Sequence, residues 1–142
     1  MKEFNKLSKD IINKKVFIDL KKYPSHGNTN LYTHSINVAQ SSLLFINKHH
    51  INCSKKDLVV GALLHDLYLY NWHHTKVKFH TFRHQSIALD TAKRYFKLTK
   101  IEENIIYSHM FPITFWTFPK YKEAWIVCLF DKIEAIKEIF EK

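Results

Sequence analysis

The sequence predicts an all-α fold with six or seven helices, and three observations support this. Only two glycines and three prolines occur in 142 residues, which favours long helices over a β-rich fold with many tight turns. Apolar residues recur at helical spacing in several segments. The alternation typical of strands is absent over any useful length. With 46% apolar residues, the chain can form one domain, residues 1–142, with its own core.

The helices of the N-terminal half are predicted in order from periodicity and capping signals. Residues 2–22 form one or two amphipathic helices, which end where Pro24 and Gly27 mark a turn. A helix follows over about residues 31–50. Ser54 and Asp57 resemble a capping box and begin a helix that extends to about residue 67. Residues 68–83 lack a clear period and are predicted to be a loop.

Three more helices are predicted in the C-terminal half. Periodicity resumes at about residue 84 and ends near residue 96. Thr99 and Glu102 form a second capping box, for a helix that reaches about residue 110. The loop FPITFWTFP then leads into a last helix over about residues 120–140.

Composition bounds the location and the partners of the protein. Cys53 and Cys128 have no paired spacing and are predicted to be reduced thiols, as in a cytoplasmic protein. The polar N-terminus predicts no signal peptide, and the apolar runs are too short to span a membrane. The net charge of +9 fits either a lysine-rich solvated surface or attraction of an anionic ligand such as a nucleotide or a nucleic acid.

Five predicted helices each place a histidine or an aspartate on an otherwise apolar face. One such residue alone is more often a hydrogen-bonded core histidine, a helix cap or a partner of an arginine. Two inward carboxylates would need cations, however, and the chain has only two arginines, Arg83 and Arg94. A bound metal cluster would satisfy the whole set at once. The residues concerned are His34, His65, Asp66, His84, His109 and Asp131.

In that order, these residues resemble the HD superfamily of metal-dependent phosphohydrolases. The matching segments are LYTHSINVA, GALLHD and CLFDKIEA. The resemblance implies a compact orthogonal helical bundle and two divalent metal ions, with iron, manganese, zinc or nickel preferred by such ligands. It implies catalytic roles for His65 and Asp66. The implied ligands are His34, His65, Asp66 and Asp131 for one metal, and His84 and His109 for the second, with Asp66 bridging.

The implied activity is hydrolysis of a nucleotide or another small phosphate ester or anhydride by a metal-bound hydroxide. The motif order is similar to that of bacterial hydrolases that split diadenosine tetraphosphate symmetrically. HGNTNLYTHS and AWIVCLFDK resemble segments of small bacterial HD-domain proteins. Many relatives carry a lysine shortly after the HD pair, but Leu67, Tyr68 and Leu69 stand here. No Glu-Asp pair and no GYP signature follow, which disfavours alarmone hydrolases and cyclic-dinucleotide phosphodiesterases.

The phosphate group and the leaving group have several candidate partners. Trp72, Phe82 and Trp116 are candidates for stacking on a base. We expect a small phosphorylated substrate, with nucleic acid and membrane disfavoured as partners. A one-metal nucleotidase is the nearest enzymatic alternative. A non-catalytic nucleotide sensor or nucleic-acid binder on the same scaffold is the second class, followed by a purely structural helical protein. The candidate substrate-binding residues are His26, His73, His80, Arg83 and Lys132, and Lys76 and Lys78 could also replace the missing lysine.

Overall fold

Helix is the only regular secondary structure in the part of the chain that the structure, a computed structural model, describes: residues 2–72 and 80–141. Within these ranges there are seven α-helices and one short 3-10 helix, which confirms the all-α prediction. They are α1 (Lys2–Ile12), α2 (Lys15–Ile18), the 3-10 helix (Asp19–Lys22), α3 (Leu31–Lys48), α4 (Lys55–Leu64), α5 (His80–Tyr95), α6 (Lys100–Ser108) and α7 (Lys122–Phe140).

Helix α4 lies at the centre of the bundle. Every residue from 58 to 64 is buried, because α1, α3, α6 and α7 all pack around it. Gly61 permits a close approach of α4 to α6, since a Cβ at this position would lie 2.6 Å from Cδ1 of Ile105 on α6. Residues 58–64 carry no polar side chain and pack in the core, so the C-terminal end of α4 and the residues that follow it lie in the interior.

The two predicted capping boxes differ in the structure. Thr99 and Glu102 form a complete box, as predicted. Ser54 accepts a bond from the backbone N–H of Asp57 at 3.3 Å, but the backbone N–H of Ser54 donates to Oε2 of Glu123 on α7 at 2.7 Å. Asp57 instead accepts a bond from the Thr99 hydroxyl at 3.1 Å. Helix α4 is therefore capped partly by tertiary contacts.

Two predicted boundaries were wrong by three or four residues. Helix α4 ends at Leu64 rather than near residue 67, and α5 begins at His80 rather than near residue 84. The His80 ring stacks on the rings of Trp72 and His84, with centroid separations of 5.5 and 4.7 Å. Such tertiary contacts leave no periodic signal in the sequence. The other helix ends differ from their predicted positions by about two residues, the usual uncertainty at frayed ends.

The turn that contains His26, Gly27 and Asn28 packs against the end of α7. Gly27 has a φ of 59°, in the left-handed region that glycine adopts without strain. A Cβ at this position would overlap the backbone carbonyl of Glu138. Both observations explain why a glycine stands here, and the contact fixes His26 relative to α7.

Two further predictions concern the thiols and membrane insertion. Cys53 and Cys128 are both free thiols, as predicted, and Cys128 is buried. Among residues 2–72 and 80–141, no helix combines the length and the apolar character that crossing a bilayer requires.

Candidate metal centre

The structure brings six buried side chains together from five segments of the chain. His34 lies in the first turn of α3, His84 in α5 and Asp131 in α7, while the remaining three directly follow α4 or α6. Their side chains form two overlapping groups of potential metal ligands. The first group is His34, His65, Asp66 and Asp131, and the second is Asp66, His84 and His109.

The first group is centred on Oδ1 of Asp131. This oxygen lies 2.8 Å from Nε2 of His34 and 3.1 Å from Nε2 of His65. Oδ2 of Asp66 lies 3.6 Å from Nε2 of His34 and 3.3 Å from Nε2 of His65. Two carboxylates thus face two imidazole nitrogens.

The second group uses the other oxygen of Asp66. Oδ1 of Asp66 lies 3.5 Å from Nε2 of His84 and 3.2 Å from Nε2 of His109. The two imidazole nitrogens are 2.9 Å apart. Asp66 therefore turns one oxygen to each pair of histidines, so that one carboxylate contributes to both groups of potential ligands.

Each of the four histidines has an oxygen partner for its Nδ1 atom, so that Nε2 faces the centre. Nδ1 of His34 lies 2.9 Å from both carboxylate oxygens of Glu138. Nδ1 of His84 lies 3.1 Å from the His80 carbonyl. These partners select the tautomer that carries hydrogen on Nδ1 and leaves the Nε2 lone pair for a ligand.

The other two histidines use the ends of their own helices. His65 is the C-cap residue of α4, and His109 is the C-cap residue of α6. The prediction had placed both histidines inside longer helices. Nδ1 of His65 lies 2.5 Å from the Ala62 carbonyl, and Nδ1 of His109 lies 2.7 Å from the Ile106 carbonyl. Such carbonyls in the last turn lack an intrahelical partner. The two helix ends also direct the negative ends of their dipoles toward the centre, which favours a cation there.

The donor set fits a divalent metal. Oδ1 of Asp66 is buried and has no hydrogen-bond partner among residues 2–72 and 80–141, although two imidazole nitrogens lie within 3.5 Å. In the tautomer that carries hydrogen on Nδ1, the Nε2 atoms of His84 and His109 present lone pairs to each other and to this oxygen. Three electron-pair donors in contact repel unless a cation lies between them.

Charge in the metal-free protein follows the same geometry. Burial lowers the pKa of His34, but the carboxylates of Asp131 and Glu138 outweigh it and raise this pKa to about 9. At His84, burial and then the nearby His109 lower the pKa to about 4. Burial raises the pKa of Asp66, but the opposing attraction of His65 and His109 prevails and holds it well below its usual range. The centre thus carries ionised carboxylates, whose charge a metal can neutralise.

One comparison with known proteins decides the family. The profile of the HD domain family matches residues 31–136, about three quarters of the chain, and this range includes all six residues of the centre. The chain belongs to the HD domain family. Members of this family are mostly metal-dependent hydrolases. No curated protein and no solved structure matches the chain.

The six side chains are called the HD centre: His34, His65, Asp66, His84, His109 and Asp131. A cavity of about 180 Å³ opens beside this centre. Asp66, His84 and Asp131 contribute to its wall, so a molecule in the cavity lies next to the candidate metal ligands. The remaining wall is largely aromatic and apolar, with several hydrogen-bonding groups. It consists of Ser25, His26, Tyr68, Trp72, His80, Thr81 and Met110.

The predicted substrate-binding residues have different positions. His26 and His80 line the cavity, whereas Arg83 is exposed and does not. Lys132 is also outside the cavity wall, because its ammonium donates to the His109 carbonyl at 3.0 Å and contacts Cys128. Its geometry is that of a group that holds the His109 segment in place. His73, Lys76 and Lys78 lie outside the described residues.

The predicted stacking residues also separate. Trp72 lines the cavity. Phe82 and Trp116 stack on each other at a centroid separation of 6.4 Å, and both are about half exposed away from the cavity wall.

Sequence reasoning missed Glu138 and Tyr68. Glu138 lies seven residues, two helical turns, after Asp131, and this spacing places both on the same face of α7. That spacing was the sequence signal by which Glu138 could have been recognised as a neighbour of the centre. Tyr68 is buried in the cavity wall, and burial followed by the charge of Asp66 raises its pKa far above its usual range. Its hydroxyl therefore stays protonated and can donate.

Proposed function

We propose that the protein is a metal-dependent phosphohydrolase that acts on a nucleotide or another small phosphate ester or anhydride. One observation carries the proposal: each oxygen of Asp66 faces its own pair of histidine nitrogens. A hydrogen-bonded core aspartate has no need for four imidazole lone pairs around it. Membership of the HD family supports the same chemistry.

In this proposal, two divalent cations are held by the two groups defined above. Four neutral imidazoles with two carboxylates suit iron, manganese, zinc or nickel better than magnesium, which prefers oxygen ligands and water. When bound, such cations supply positive charge for phosphoryl oxygens and acidify water. Glu138 and the Ala62, His80 and Ile106 carbonyls hold the imidazoles in the required tautomer.

The remaining cavity wall binds the organic part of the substrate in our proposal. Tyr68, Trp72 and His80 present aromatic rings, which suit a nucleobase because base–aromatic stacking needs no particular base. His26 is fixed by its turn at the edge of the cavity, 5.6 Å from His34 between ring centroids, and offers a donor to a phosphoryl oxygen. Tyr68 offers a second donor. These groups orient the substrate at the centre and exclude water from its other faces.

The test combines metal content with turnover. Protein is freed of metal, reconstituted with Mn²⁺, Fe²⁺, Zn²⁺ or Ni²⁺, and assayed against phosphate compounds that include nucleotides and dinucleoside polyphosphates. We expect about two metals per chain and turnover of at least one compound. Asp66→Asn should abolish turnover and reduce both metals, whereas His109→Ala should lose about one.

His49→Ala is the matched control, because His49 is an exposed histidine at the end of α3. It should retain both metals and full activity. Turnover that persists in Asp66→Asn would overturn the site assignment. Salt-dependent nucleotide binding without turnover in any reconstituted form would instead favour the non-catalytic sensor.

A further inference from the structure

Helix α7 exposes several large apolar side chains to solvent, in addition to those that it buries in the core. Asp131 and Glu138 lie on the inner face, at the HD centre. A helix at the surface of a globular protein normally turns polar residues to solvent. The outer face instead exposes Trp125 (45%), Leu129 (50%), Ile136 (57%), Ile139 (47%) and Phe140 (81%).

The spacing of these residues is that of a helix-pairing seam. Trp125, Leu129, Lys132, Ile136 and Ile139 follow one another at intervals of four, three, four and three residues. This alternation is the a/d pattern by which two helices interlock.

Lys132 is the single charged residue in the seam, and its ammonium turns away from it. Its Nζ donates to the His109 carbonyl at 3.0 Å and to the Cys128 carbonyl at 3.3 Å. The aliphatic stem of Lys132 therefore continues the apolar seam between Leu129 and Ile136.

The exposed area is close to what a stable dimer buries. The Phe118 ring, itself 53% exposed, extends the surface because its centroid lies 5.4 Å from that of Trp125. At roughly 200 Å² for each full side chain, these six residues leave about 650 Å² of apolar surface uncovered. Stable interfaces bury about 600–1,000 Å² per partner. A monomer rarely exposes so large a contiguous apolar surface.

We propose that two copies of this chain associate through their α7 helices about a two-fold axis. A two-fold axis places the seam of one chain against the same seam of the other, so each chain covers the exposed apolar residues of its partner. The partly exposed residues that flank the seam, Ile133 and Ala135, are uncharged, and the flanking Ile126 and Cys128 are buried in the core. An anionic lipid surface would favour lysines at these positions. A second copy therefore fits this surface better than a membrane.

The pairing also bears on the HD centre. The helix that would form the interface carries Asp131 on its opposite face, and Lys132 connects the seam to the His109 segment. Dimerisation would cover the outer side of the helix whose inner side faces the proposed metals.

The test is sedimentation equilibrium of the full chain between 1 and 100 μM. We expect a dimer, and we expect salt to strengthen it or leave it unchanged, because two copies of charge +9 repel each other. Leu129→Glu should weaken association at least 100-fold while circular dichroism shows the helical content unchanged. Ile136→Glu provides a second, independent variant in case the first does not fold.

Leu44→Glu is the matched control, since Leu44 is a 69% exposed leucine on α3 outside the seam. It should dimerise like the parent. A parent chain that is monomeric at 100 μM, or a folded Leu129→Glu variant that still dimerises, would overturn the proposal. A monomer that co-sediments with vesicles of phosphatidylcholine and phosphatidylglycerol, and is released by salt, would also overturn it.

Discussion

Replacement of Glu138 by glutamine tests whether the carboxylate that contacts His34 supports metal binding. Both its oxygens lie 2.9 Å from Nδ1 of His34, and both side chains are buried, so the interaction is poorly screened by solvent. Glutamine keeps the shape and can still accept the Nδ1–H, but it lacks the charge that makes the imidazole a stronger ligand. Loss of such an outer partner reduces metal affinity about 10- to 100-fold, or about 1.4–2.7 kcal/mol. We therefore expect weakening in this range at the group that contains His34.

The assay is titration of metal-free protein with Mn²⁺, with free Mn²⁺ followed by electron paramagnetic resonance. Glu134→Gln is the control, because Glu134 is an equally buried carboxylate one turn earlier on α7 that contacts Ser41 and Lys137 instead of a histidine. It should bind Mn²⁺ like the parent. The reasoning is refuted if Glu138→Gln binds within twofold of the parent, or if Glu134→Gln loses as much affinity.

Three further predictions concern stability. Gly27→Ala should lower the free energy of unfolding by about 2–4 kcal/mol, because the residue has a positive φ and its Cβ would overlap the Glu138 carbonyl; a change in the urea midpoint equivalent to less than 1 kcal/mol would contradict this. Burial, with the neighbouring Asp57, raises the pKa of Glu102 to about 7. Because the pKa of Glu102 is higher in the folded than in the unfolded chain, its protonation stabilises the fold fully below pH 4.5, its ordinary pKa. This contribution is lost as the pH rises through 7. Urea titrations from pH 4.5 to 8 should show that Glu102→Gln removes this loss and that Glu103→Gln keeps it; equal pH slopes for the two variants would contradict the assignment. Mn²⁺ at 100 times its Kd should stabilise the fold by about 2.7 kcal/mol, a rise in Tm of roughly 5–11 °C, reversed by a chelator; a Tm that does not respond would contradict metal binding to the folded state.

The sequence by itself determined the helical fold class and the membership of the six residues in one centre. Helical periodicity reports the inward face of a segment, so His34 and Asp131 could be recognised as polar residues that face the core. Capping is also local, and Thr99 with Glu102 formed the predicted box. Family membership followed from the order of the same residues.

Only the tertiary structure decided how the centre is organised. Glu138 lies 104 positions from His34 in the chain, and the packing of α7 on α3 is what joins them. The family resemblance implied that Asp66 is shared by two ligand groups, but which of its oxygens faces which pair of histidines depends on side-chain orientation, which no spacing in the sequence encodes. Lys132 illustrates the same limit, because the sequence offered it as a phosphate ligand while the fold directs its ammonium to the His109 carbonyl. Periodicity fixes the face of a helix, whereas the partner of each atom depends on which helices pack together.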